Sequence, residues 1–134
     1  MSTKAPNRTF VLKATVAANA PAGTVIPMNI LFDPLDAGSV DKQVPVDQNW
    51  AITDIYVTGT QTPDGVVQVV RNSGNIPLVT PPVNTLLVSN PSRPRIMPAV
   101  ALPAATQFRF FYITNANNGA SATTVTVYAQ VDVF

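Results

Sequence analysis

Apolar residues recur at every second position in this chain, in short runs separated by Pro, Gly, Asn and Asp, and no segment repeats them at helical spacing. The run over 9–17 puts Phe10, Leu12, Ala14 and Val16 on one face. Over 107–114, Phe108, Phe110 and Tyr112 alternate against Arg109, Phe111 and Ile113. The last run, 123–134, sets Val125, Val127, Ala129, Val131 and Val133 against Thr124, Thr126, Tyr128, Gln130 and Asp132. So regular an inward face predicts a strand paired near the middle of a sheet. Shorter runs cover 24–32, 50–58, 66–71, 76–80, 83–89 and 96–102. Pro27 marks the first of these as an edge or a bulge. In the second, simple parity puts Trp50 and Tyr56 on the same face. Between them lie a long Asp-rich connection over 33–49 and turns at Thr62-Pro63-Asp64-Gly65 and Asn72-Ser73-Gly74-Asn75.

This pattern predicts an all-β fold: an antiparallel β-sandwich, a single jelly roll of about eight strands. Residues 1–8 read as a flexible N-terminal arm and 9–134 as one domain. The expected core is Phe10, Leu12, Trp50, Ile52, Phe108, Phe110, Val125 and Val127, which share the inward parity of the longest runs.

Composition narrows the chemistry. Charged residues are 11% of the chain, against about 25% in an average soluble domain, while hydrophobic residues are an ordinary 46%. There is no Cys, no His and no Glu. Thiolate zinc sites, thiol nucleophiles, redox pairs and histidine triads are therefore excluded. No Ser or Asp stands in a recognisable nucleophile or acid context, so the chain is expected not to be an enzyme and to need no cofactor. A surface this poor in charge is easier to explain if partners cover much of it. The net charge of +1 gives no strong pull on nucleic acid. No apolar run is long enough to span a bilayer, and residues 1–8 lack the apolar segment of a signal peptide.

Few residues stand out as sites. Asp33, Asp36, Asp41 and Asp47 could offer oxygens to a hard cation, but their spacing fits no calcium loop and they read better as turn caps. Arg93 and Arg95 flank Pro94 on a stiff loop and could hold a carboxylate, a phosphate or a neighbouring subunit. Lys4 and Arg8 lie on the arm, too few for a nucleic-acid tail but able to touch a partner. Among the aromatics, Tyr128 lies opposite the valine face and is the best exposed candidate for stacking on a sugar ring.

The polar arm Met1 to Arg8, the strand count, the Pro-rich segments Pro81-Pro82, Asn90-Pro91 and Arg93-Pro94-Arg95, and the end Val131-Asp132-Val133-Phe134 together resemble one group of proteins. These are the small single-jelly-roll coat, vertex and capsid-decoration proteins of icosahedral viruses. The resemblance is architectural and covers the whole chain. It implies a structural subunit in the virion, made in the host cytoplasm, that binds copies of itself and other capsid proteins. Lys4, Arg8, Arg93, Arg95 and Tyr128 are its candidate partner contacts. A carbohydrate- or receptor-binding β-sandwich module is the alternative expectation.

Overall fold

A computed structural model describes residues 8–33, 35–57, 64–72, 76–78, 83–84 and 99–133. Two antiparallel sheets face one another, and no helix occurs among these residues. The strands are β1 (Arg8–Val16), β2 (Val25–Pro27), β3 (Asn29–Leu31), β4 (Lys42–Gln43), β5 (Trp50–Tyr56) and β6 (Gly65–Arg71). They continue with β7 (Ile76–Pro77), β8 (Val83–Asn84), β9 (Val100–Leu102), β10 (Gln107–Thr114) and β11 (Thr123–Val133). The first sheet runs β3-β1-β11-β5-β9; the second runs β2-β10-β6-β7, with β4 also on β10 and β8 also on β6. The pairings are nested: β1 with β11, β2 with β10, β5 with β9, and β6 with β7 and β8. As its valine pattern predicts, β11 is central, between β1 and β5.

Alternation fills the space between the sheets. All eight expected core residues are buried. At one end of the core an aromatic cluster spans both sheets, with ring centroids of Phe10 and Trp50 5.3 Å apart, Trp50 and Phe108 6.3 Å, and Phe108 and Phe110 6.1 Å. Phe32 joins this cluster, stacked on Phe10 at 4.5 Å. Such pairs add about 0.5–1.5 kcal/mol each beyond the burial of their area. At the other end Tyr112 lies over Gly65. A β-carbon at Gly65 would stand 2.6 Å from Tyr112 Cε1, so the glycine leaves the room the ring occupies.

Three features depart from simple alternation. The run over 24–32 is not one strand. It pairs with β10 as β2, then with β1 as β3, changing sheets at buried Met28, whose N–H donates to Phe110 O at 2.8 Å. Pro27 lies at the end of the part on the outer edge, where its missing N–H is tolerated. The second departure is a bulge in β5. Gln130 pairs with Asp54 and Val131 with Ile52, leaving Thr53 as the extra residue. Trp50 and Ile52 point inward before the bulge, and Ile55 after it, so Tyr56 faces outward. The expectation that Trp50 and Tyr56 share a face is therefore wrong: one inserted residue reverses a period of two. Third, β1 begins at Arg8, a residue expected in the arm; residues 1–7 lie outside the described part.

Candidate interaction surfaces

The outer face of the second sheet is built from the residues that alternate with its core. Val25, Ile113 and Val66 are paired across β2, β10 and β6, and beside them lie Pro27, Phe111 and Gln68. Val25 is 56% exposed, while Ile113, Val66 and Phe111 are half-buried. One half of this outer face is therefore apolar, while Arg109 and Gln107 continue the outward row of β10 on the other half.

On the outer face of the first sheet, Leu31, Val11, Tyr128 and Tyr56 form one row across β3, β1, β11 and β5, each in register with the next. Polar rows flank it: Asn29, Lys13 and Thr126 on one side, Thr9, Gln130 and Asp54 on the other. The rings of Tyr56 and Tyr128 stack at 5.5 Å with 18° between their planes. Each ring spends one face on the other, which reduces the flat area a sugar would use.

Charges gather at the end of the sandwich that holds the aromatic cluster. Asp36 accepts from Phe32 N at 2.9 Å, Gly38 N at 3.0 Å and Lys42 Nζ at 2.7 Å. The Lys42 ammonium, followed by the two backbone N–H groups, holds its carboxyl far below the ordinary aspartate range. Lys42 Nζ also lies 4.4 Å from the centroid of the Phe32 ring. Asp41 takes both arms of the Arg109 guanidinium, the Nη2–Oδ2 contact at 3.2 Å, and a bond from Asn72 Nδ2 at 3.0 Å. Arg109 first, then Asn72, lowers the Asp41 pKa, and Asp41 in turn raises that of Arg109. Asp33 Oδ1 accepts from Leu35 N at 2.8 Å, so Asp33 and Asp36 cap turns as their positions suggested. Among the described residues no cluster of acidic side chains fit for a metal occurs.

At the opposite end, the turn over 17–24 and the loop over 115–121 are clasped together. Asn118 Nδ2 donates to Ala17 O at 2.8 Å and to Val16 O and Ser121 O, each at 3.2 Å, while its Oδ1 accepts from Thr123 Oγ1 at 3.2 Å. Asn118 N donates to Ala20 O at 2.7 Å, Asn19 N to Gly119 O at 2.8 Å, and Ala22 N to Asn117 Oδ1 at 2.8 Å. Buried Thr114 completes the clasp, accepting from Thr24 N and donating to Pro21 O through its hydroxyl.

Of the candidate contacts read from sequence, Arg8 and Tyr128 are described, and the fold does not bring them together. Arg8 shares the inward parity of β1, with its guanidinium carbon 5.9 Å from the centroid of the Trp50 ring. Tyr128 faces out from the same sheet. Lys4, Arg93 and Arg95 lie outside the described residues. Sequence reading missed Tyr56 as the partner of Tyr128. The signal was present: the apolar positions run 50, 52, then 55 and 57, a change of parity that marks the bulge. It also missed Leu35 and Val46, 96% and 80% exposed on the long connection, because nothing in an irregular segment tells which apolar residues turn outward. A cleft of about 390 Å³ is lined by Arg71, Ala104, Ala105, Thr106 and Gln107, with no carboxylate among them. No helix among the described residues is long and apolar enough to cross a membrane. No protein-family model and no curated protein matches the chain.

Proposed function

We propose that the chain is a structural subunit of an icosahedral virus particle, a minor coat, vertex or decoration protein, working by contact with copies of itself and with other capsid proteins. The observation that carries the reading is the apolar half of the outer face of the second sheet, Phe111, Ile113 and Val66, behind which Phe108, Phe110 and Tyr112 lie in the core. A free monomer gains nothing from an apolar outer face, whereas a subunit in a shell buries it. The nested strand pairing supports a jelly-roll frame, with β1-β11-β5-β9 opposite β2-β10-β6-β7. The ion pairs Asp36–Lys42 and Asp41–Arg109 lie within the subunit, so these four charges are partnered before any neighbour arrives.

Light scattering and gradient sedimentation of the purified chain test this reading. Oligomers or particles are expected, in a form that grows with concentration. A protein that stays monomeric at all accessible concentrations and binds no capsid component overturns it. Glycan-array binding by the monomer, abolished by Tyr128→Ala, would establish the carbohydrate-binding alternative in its place.

A further inference from the structure

Among the stretches of the sequence without a charged residue are 14–32 and 110–131. The fold brings their loops together at the clasped end of the sandwich, through the bonds of Asn118, Asn19 and Thr114. Charge is correspondingly segregated. Arg8, Asp36, Asp41, Lys42, Arg71 and Arg109 belong to the opposite end. Among the described residues only Asp64 reaches the clasped end, at its margin, where Asn115 Nδ2 donates to its carboxylate at 3.2 Å. Lys13 faces away, from the outer side of the other sheet. The neutral end is continuous with the apolar half of the outer face of the second sheet, because Thr24 and Thr114 of the clasp lead directly into the pair Val25 and Ile113.

We propose that this surface, from the 17–24 and 115–121 loops down to Val25, Ile113 and Val66, binds the same surface of a second copy of the chain. The inference rests on the assembly reading and names its contact. Size supports it: with the adjoining Pro27, Phe111 and Gln68, about 20 residues there are wholly or partly exposed, the lower end of the 20–30 that each side of a standard interface supplies. Charge selects the partner. Set against the charged end of a neighbour, the neutral surface would strip water from ions without replacing it. Set against itself, it buries no charge beyond Asp64 at the rim. The contact is also preorganised, since the clasp fixes both loops before any partner arrives.

Sedimentation equilibrium on single variants and on their mixtures tests the proposal, with melting of the dilute chain as a check on folding. Val25→Glu places like charges at the contact and is expected to weaken self-association by roughly a hundredfold or more. Ala116→Glu, in an exposed loop where it cannot disturb the core, should do the same. Lys13→Glu should have little effect. Mixing a chain carrying Val25→Glu and Ala116→Glu with one carrying Val25→Lys and Ala116→Lys should restore association, because in a self-paired surface acidic positions of one copy then face basic positions of the other, whichever residues meet. If the wild type associates and neither glutamate variant weakens it, this contact is wrong while the assembly reading stands. If Val25→Glu weakens association but the mixture does not recover, the surface meets something other than itself. A wild type that never associates overturns both.

Discussion

Asn118 ties the 115–121 loop to the end of β1, and its replacement has a calculable cost. Its two amide hydrogens serve the carbonyls of Val16, Ala17 and Ser121, and its oxygen accepts from Thr123. That amounts to about three net bonds at ~0.5–1.5 kcal/mol each. Because the Ala17 and Ser121 carbonyls are reached by water, Asn118→Ala should cost about 1–3 kcal/mol. For a domain of this length that is a fall in melting temperature of about 3–5 °C per kcal/mol. Asn118→Asp is the more telling variant. Its carboxylate would face carbonyl oxygens, so its pKa in the folded chain should stand above the ordinary ~3.9. A group raised in this way destabilises once pH exceeds its folded pKa and is neutral below its unfolded one. The Asp variant should therefore be less stable than the Ala variant at pH 7. It should approach the wild type, measured at the same pH, near pH 3, where the protonated acid regains one donor. Urea unfolding of dilute protein at the two pH values gives both quantities. An Asn118→Ala midpoint equal to wild type, or an Asp variant whose deficit does not change with pH, refutes the assignment.

Phe110→Ala should cost about 3–5 kcal/mol, read by the same unfolding assay, because the ring is fully buried between the sheets. Gly65→Ala should destabilise by about 1–3 kcal/mol, since the added methyl meets the Tyr112 ring, and the double variant Gly65→Ala with Tyr112→Leu should lose less than the sum of its parts. Asp36 and Asp41 have depressed pKa values in the folded chain, so their contribution is complete above the ordinary aspartate value of 3.8 and is lost as pH falls further. Acid unfolding should be correspondingly less steep in Asp36→Asn, measured by midpoint against pH.

Regular strands were legible from the sequence because a buried face imposes a period of two. β1, β10 and β11 therefore appeared with their core residues correctly assigned, Phe10, Phe110 and Val127 among them. Tyr56 was not, because the bulge at Thr53 reverses the parity after Ile52, and the sequence shows that reversal only as apolar positions 50 and 52 followed by 55 and 57. Pro27 signalled an irregularity, but the transfer between sheets at Met28 depends on β10 and β1 lying on either side. The two surfaces differ likewise. Tyr128 could be placed outside from its neighbours alone, whereas the pairing of Asp41 with Arg109 joins residues 68 apart in sequence. The neutral end lay in plain view as two uncharged stretches, yet only the nesting of β2 on β10 and β1 on β11 makes them one surface.

Nested pairing also sets the order in which the chain can fold. The innermost pair, β6 with β7, closes within a few residues, while β1 waits for β11, with Val16 opposite Thr123 and Arg8 opposite Val131. Contacts so far apart along the chain place folding in the slow range of about milliseconds to seconds. During synthesis β1 and β5 must stay unjoined until β11 has left the ribosome, since β11 is the strand that lies between them. The first sheet is therefore completed only once β11 has emerged, and until then the edges of β1 and β5 are open to pairing with other nascent chains.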